Sequence, residues 1–236
     1  MDLSSSTPVV TGAARGLGRH LVDGLLERGA AKVYALARDT TNVRRDTRVV
    51  ALTFDLLDPR SVTAAALRAD DATLLINNAS TAAFADPLDA DADSVRREMA
   101  VNFDGTFATI RAFVPGLAAN GDGHIVNVLS LLSLASMPPM TGYSASKAAA
   151  HSLTQALRPT LAARGITVHG VYPGGIDTDM LAGLDVPKTA PAEVAAGILD
   201  GLEADEEDIF PDPTARAMAT TWWSDPKSFE RAFAGT

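Results

Sequence analysis

Thr11-Gly12-Ala13-Ala14-Arg15-Gly16-Leu17-Gly18 follows the short apolar run Pro8-Val9-Val10-Thr11 and opens an amphipathic stretch from Leu17 to Arg28. A strand that turns through clustered glycines into a helix lets the backbone approach a pyrophosphate, which the helix N-terminus then holds with its free N–H groups. The spacing differs from the general G-x-G-x-x-G, and glycines alone also build ordinary turns, so the rest of the chain must corroborate the segment.

The same alternation continues along the chain. Further strand-length apolar runs are Lys32 to Ala37, Val49 to Phe54, Thr73 to Asn77, His124 to Ser130, Ile166 to Tyr172 and Asp208 to Phe210. Helical patterns fall near Ser61 to Arg68, Ser94 to Ala119, Gly142 to Arg164 and Ala192 to Leu202. Strands separated by helices require right-handed crossovers, so the reading predicts an α/β fold, a doubly wound parallel sheet of about seven strands with helices on both faces. With 236 residues and no repeat or linker, residues 1–236 are expected to form one domain.

Composition narrows the function. Hydrophobic residues make up 47% and charged residues 21%, the balance of a chain that can bury a core. The net charge of -9 argues against a nucleic-acid partner, which needs a basic stripe to displace counterions. The chain has no cysteine, so thiolate metal ligands and disulfides are excluded. No apolar run is long enough to span a membrane, and Met1 to Thr7 lacks the character of a secretory signal; a cytoplasmic protein is expected. Asp89, Asp91 and Asp93 have the alternate spacing of a calcium loop, but Ser94 stands for its turn glycine and Ala100 for its bidentate glutamate. These acids are better placed at the start of a helix. His20, His124, His151 and His169 show no metal-ligand spacing, so no metal is expected. A serine hydrolase would need a G-x-S-x-G elbow, which does not occur.

The T-G-x-x-x-G-x-G pattern at Thr11 to Gly18 resembles the cofactor turn of the short-chain dehydrogenase/reductase family. Further landmarks occur in order from about Thr7 to Phe210. Asn77-Asn78-Ala79 closes the fourth strand, with Ser80 where the family usually has glycine. Asn102 lies in the long helix that follows, and Ser130 ends the fifth strand. Tyr143-Ser144-Ala145-Ser146-Lys147 supplies Tyr-x-x-x-Lys, and Pro173-Gly174-Gly175-Ile176-Asp177-Thr178 follows the sixth strand.

Residues four apart on a helix share a face, so Tyr143 and Lys147 can point into one cleft. A free tyrosine has a pKa of about 10, and a neighbouring ammonium favours the phenolate, which suits Tyr143 to proton exchange with an alcohol or carbonyl oxygen. The resemblance implies that Ser130 holds the substrate oxygen, that Asn102 extends a water-mediated relay, and that Lys147 also bonds the nicotinamide ribose. It further implies a cofactor site built from Gly12, Arg15, Gly16, Leu17, Gly18, Arg38, Asp55, Leu56, Asn77, Ala79, Tyr143, Lys147, Pro173, Gly174, Ile176 and Thr178, with Asp55 against the adenine. Homodimers or homotetramers through the helices that begin near Ser94 and Gly142 are implied as well.

An acid about 20 residues beyond the glycine turn selects NAD, whereas arginine there pairs with the extra phosphate of NADP. Arg38 and Arg15 favour NADP; Asp39 would face the ribose if the second strand ended earlier, which keeps NAD as the second candidate. Leu131, Leu132, Leu134, Met137, Met140, Met180, Leu181 and Leu184 supply apolar surface near the expected cleft, pointing to a hydrophobic ketone, aldehyde or quinone and its alcohol; core or subunit interface is the competing use. Trp222 and Trp223 either cover the pocket or pack elsewhere, packing being the simpler use. The rival function is an NADP-binding sensor or scaffold without turnover, against which the intact Ser130, Tyr143 and Lys147 argue.

Overall fold

A computed structural model of the protein describes residues 1–235. Its centre is a sheet of seven parallel strands: β1 (Pro8–Thr11), β2 (Val33–Ala37), β3 (Val49–Thr53), β4 (Leu74–Asn77), β5 (Gly123–Val128), β6 (Ile166–Val171) and β7 (Asp208–Ile209). Their spatial order is β3-β2-β1-β4-β5-β6-β7. Winding therefore reverses between β1 and β4, and the crevice outside the carboxyl ends of those two strands is where open α/β sheets bind ligands. Strands β1, β2, β4 and β5 are buried along their whole length, as parallel strands covered on both faces must be.

Two helical layers supply that cover. On one face α1 (Gly16–Glu27) packs on α6 (Pro191–Glu203), and Leu21, Leu25, Ile198 and Leu199 meet Val10, Ile76 and Val126 of the sheet. On the other, α2 (Pro59–Arg68), α4 (Thr106–Asn120) and α5 (Thr141–Ala162) close over Val9, Leu36, Leu75 and Ile125. Local chemistry sets several helix starts. The Asp58 carboxylate accepts the Arg60 N–H with Pro59 in the first turn, and Asp91 accepts the Ser94 N–H at 2.8 Å to open α3 (Ala92–Met99). The acids around Asp91 thus serve a helix N-terminus.

Two departures from the sequence reading matter for the site. The predicted helix from Ser94 to Ala119 is interrupted by a π-helical segment, Ala100–Gly105, between α3 and α4. An inserted wide turn of this type commonly marks a functional position, and here it carries Asn102. Gly105 in the same segment lies so close to Leu56 that an added Cβ would stand 2.8 Å from the Leu56 Cβ.

The second departure lies beyond Phe210, where the sequence reading placed no element. The chain forms α7 (Pro213–Ser224) and α8 (Pro226–Ala234), capped by Asp212 and Asp225 with a proline after each. Fully buried Phe229 fixes this pair, meeting Trp222 edge-on at 5.4 Å and Phe233 at 5.0 Å between ring centroids. Trp222 therefore packs within the C-terminal helices, while Trp223 is 70% exposed. Truncating a buried phenylalanine costs about 3–5 kcal/mol. Phe229→Ala should lower the melting temperature by about 6–20 °C in a single transition, read by circular dichroism; a change under about 2 °C would mean that α8 is not part of the cooperative core.

Candidate active site

The glycine turn lies at the switch point between β1 and β4. Gly12 and Gly16 have φ of +70° and +52°, in the left-handed region that disfavours any side chain. A Cβ on Gly18 would sit 2.2 Å from the Gly12 carbonyl oxygen, so this contact demands glycine. Helix α1 starts at Arg15 without a side-chain cap and with no acid in its first turn, leaving its leading N–H groups open to an anion. These residues fit a dinucleotide phosphate.

The turn rests on Thr11 and Asn78. The Thr11 hydroxyl oxygen accepts the N–H groups of Asn78 and Ala79, each at 3.0 Å, and the Asn78 amide donates back to the Thr11 carbonyl at 2.9 Å. Sequence reasoning used Asn78 only as a landmark; its paired amide next to the turn threonine was the available signal. From the other side, the Thr178 methyl lies 3.3 Å from where a Gly16 Cβ would be, so the segment after β6 borders the same crevice. Arg15 pairs with Asp179 at 3.1 Å across the mouth, both side chains well exposed, a contact of little energetic weight.

Ser130, Tyr143 and Lys147 stand together further along the carboxyl edge, all three buried. The Ser130 oxygen accepts the Leu132 N–H at 3.1 Å, which leaves its own proton free to donate. The Lys147 ammonium donates to the Val128 carbonyl at 2.7 Å and lies 5.6 Å from the Tyr143 ring centroid. Burial penalises charge on both members of the pair. It pushes the Tyr143 phenol up to about 12, with the Ser130 hydroxyl drawing it part of the way back and the Glu98 carboxylate adding to the rise. It lowers Lys147 to about 8. The sequence reading had Lys147 bring the phenol toward neutral pH. In the protein's own environment desolvation is the larger effect.

The Asn102 side chain is engaged by protein groups. Its Oδ1 accepts the Thr81 N–H at 2.9 Å, while its Nδ2 donates to the Thr81 carbonyl at 2.8 Å and the Ser146 hydroxyl at 2.9 Å. A side chain with its donors and acceptor so committed braces the 79–83 segment against α5. Ser146 extends the brace by donating to the Tyr143 carbonyl at 2.7 Å. One turn earlier, buried Glu98 accepts the Ala83 N–H at 2.8 Å, and burial raises its pKa. Neither Ser146 nor Glu98 was singled out from sequence.

The other expected cofactor residues separate by position. Arg38 is exposed just past the end of β2, and the neighbouring Asp39 carboxylate is engaged by Thr41, which donates its N–H at 2.9 Å and its hydroxyl at 2.6 Å. Asp55 is half-buried after β3, its carboxylate accepting the Leu57 N–H at 3.0 Å, and half-buried Leu56 packs on the core. Leu17 is buried in that core with its N–H in the first turn of α1. Asn77 turns its side chain along the sheet, donating to Asn127 at 2.9 Å; Asn127 donates in turn to Thr154 at 2.9 Å. These bonds tie β4 and β5 to α5. Buried Pro173 accepts the Leu131 N–H at 3.1 Å, tying the ends of β5 and β6. Gly174 donates its N–H to the fully buried Asp212 at 2.9 Å, so the cap of α7 also anchors this loop. Ile176 bridges to Thr189.

The apolar residues expected around the cleft also divide. Leu132, Met140, Met137 and Met180 pack with Tyr143, together with Ala82 and Phe233. Leu131 and Leu134 pack instead under Tyr172 and Phe229 and serve the C-terminal helices. Phe233, at the end of α8, is an unanticipated wall of the site. Among the described residues no helix is long and apolar enough to cross a membrane.

The short chain dehydrogenase family model matches residues 6–188. A short chain dehydrogenase from Burkholderia cenocepacia, solved in complex with NADP, superposes with a TM-score of 0.94 at 40% identity over 99% of each chain. Galactitol 2-dehydrogenase (L-tagatose-forming) of Cereibacter sphaeroides is 35% identical over 75% of this chain and 74% of its own. Cis-4-hydroxycyclohexanecarboxylate dehydrogenase of Sinomonas cyclohexanicum is 36% identical over 81% and 82%. The matched span takes in the glycine turn, Ser130, Tyr143 and Lys147. The chain belongs to the short-chain dehydrogenase/reductase family of oxidoreductases.

Proposed function

We propose that the protein interconverts a hydrophobic carbonyl compound and its alcohol with NADP(H), using Tyr143 as the proton carrier. The observation that carries this reading is the gathering of buried Ser130, Tyr143 and Lys147 on the same sheet edge as an uncapped, glycine-lined helix N-terminus. NADP(H), when bound, supplies the hydride. Gly12, Gly16, Leu17, Gly18, Ala79 and Thr178 would border its phosphates, while Lys147 would hold ribose hydroxyls.

In the reducing direction the Ser130 O–H donates to the substrate oxygen and fixes it against the phenol. Tyr143 gives up its proton to that oxygen as the carbonyl carbon is reduced, and oxidation reverses both movements. Lys147 lies under the phenol as a cation that favours its transient negative charge. Asn102 and Ser146 keep α5 and the 79–83 segment at fixed spacing, so the pocket needs little rearrangement.

Cofactor choice rests on charge. Arg38 lies free on the surface beyond β2, and the Asp39 carboxylate is held by Thr41, so the cation is the better placed to meet a ribose substituent. The Burkholderia relative bound to NADP supports the same choice. For the substrate, a wall of Leu132, Met137, Met140, Met180 and Phe233 favours an apolar body around one reacting oxygen. The ring alcohol named for the Sinomonas relative is of that general kind.

A panel of apolar ketones, aldehydes and quinones, followed by nicotinamide absorbance, should contain substrates. Tyr143→Phe is expected to reduce kcat/KM by about 10²–10⁴-fold with NADPH binding unchanged; a fully active variant would refute the assignment. Arg38→Asp should cut the preference for NADPH over NADH by about 10–100-fold, since a charge-assisted contact is lost and a like charge introduced. An unchanged ratio would remove Arg38 from cofactor selection.

A further inference from the structure

Two buried histidines meet where His124, near the amino end of β5, lies diagonally across from His169 in the middle of β6. His124 is 3% exposed and His169 is fully buried, and the His124 Nδ1 stands 3.0 Å from the His169 Nε2 with the ring planes within 16° of parallel. Asp205, in the turn between α6 and β7, offers a carboxylate oxygen such that one ligand atom from each of the three residues lies within 4.8 Å of the others. Asp205 adopts φ of +56°, a left-handed conformation usually given to glycine after a helix, and the turn presents its carboxylate beside the imidazoles.

Proton bookkeeping around the pair is unusual. His169 Nδ1 lies 2.6 Å from the Glu206 carbonyl oxygen, which only accepts, so this nitrogen carries a proton and donates. The His169 Nε2 is then a lone pair, and His124 must place its single proton on Nδ1 to donate to it. That leaves the His124 Nε2 bare and buried, without a hydrogen-bond partner, 3.6 Å from the Asp122 carboxylate. A lone pair facing a carboxylate is an unfavourable contact, and the protein fold retains it.

We infer that His124, His169 and Asp205 form a binding site for a divalent transition-metal ion of the zinc type. Two nitrogen ligands on a tetrahedral zinc ion lie about 3.3 Å apart, given bonds of about 2.0–2.1 Å, close to the present separation of the two imidazole nitrogens. Binding through His124 Nδ1 and His169 Nε2 moves the His124 proton, by exchange with water, to Nε2. It then donates to Asp122, and the bare lone pair disappears. Both imidazoles remain neutral and no net proton is released from the pair; the ion exchanges bound water for two nitrogens and one carboxylate oxygen. Each ligating ring then has an oxygen acceptor behind its other nitrogen, the Glu206 carbonyl for His169 and Asp122 for His124, which is the outer arrangement metal-bound histidines need.

Electrostatics favour the cation. Asp122 and Asp205 bear on the pair from two elements, against the Met1 ammonium, giving a net negative field. Imidazole with carboxylate selects zinc, cobalt, nickel or copper over calcium and magnesium. Because the site is remote from Ser130 and Tyr143, the ion would clamp β5, β6 and the turn before β7 without entering the reaction.

The test is a calorimetric titration of the untagged, chelator-treated full chain with Zn²⁺, alongside Co²⁺ absorption spectra. One equivalent is expected, with a four-coordinate Co²⁺ spectrum and a melting temperature raised by about 5–10 °C at 100-fold excess over the dissociation constant. Asp205→Asn should weaken binding by about 10-fold or more, and Asp122→Asn by about 10–100-fold through the proton it no longer receives. Both positions are exposed, so these variants should fold even where His169→Gln does not. Zn²⁺ binding weaker than about 1 mM, or binding that both aspartate variants leave unchanged, would overturn the site.

Discussion

The rest of the structure depends on how β1 and β4 are held at their carboxyl ends. Parallel strands that wind in opposite directions leave a gap there, and two residues define its shape. Thr11 accepts the N–H groups of Asn78 and Ala79, and Asn78 returns a bond to the Thr11 carbonyl. That reciprocal clamp sets the glycine turn against the end of β4 so closely that Gly12 and Gly18 have no room for side chains. The uncapped N-terminus of α1 is thereby aimed into the crevice. On its far side the Pro173–Gly174 segment is fixed by Leu131 and by buried Asp212, so both walls rest on main-chain bonds and not on mobile surface contacts.

Burial governs the chemistry built on that frame. Tyr143 and Lys147 are both deep in low-dielectric surroundings, where charge is costly. The phenol rises to about 12 and the ammonium falls to about 8. The phenol's value alone does not suit proton transfer near neutral pH. What the arrangement provides is sensitivity: with little water to screen it, any positive charge or hydrogen-bond donor added beside the phenol acts strongly on it. Ser130 is one such donor. A reactive state that waits for its partners limits idle chemistry in the free enzyme.

Much of this was legible in the chain. All seven strands are found within two residues of their sequence boundaries, and β1, β2, β4 and β5, buried on both faces, are the short unbroken apolar runs such strands must be. Arg38 falls just outside β2 as expected, since the apolar run ends at Ala37. What escaped has identifiable causes. The break at Ala100–Gly105 leaves the apolar periodicity nearly intact and depends on Asn102 reaching Thr81, a tertiary contact. Helices α7 and α8 carry the same Asp-Pro start as α2, at Asp212-Pro213 and Asp225-Pro226, a local signal in the sequence. The histidine pair could not be seen by spacing, for its members are 45 residues apart and meet only because β5 and β6 are neighbours.

The central claim is that Tyr143 carries the proton and that its acidity is set by the charges gathered in the loaded site. Titrating tyrosinate absorbance against pH in the wild-type protein and in Tyr143→Phe, each with and without saturating NADP⁺, tests this most directly. The account predicts one tyrosine, missing from the Phe variant, that ionises above the ordinary value of about 10 in the free protein and at least about one pH unit lower with NADP⁺ bound. A Tyr143 transition at the same pH in both states would contradict it.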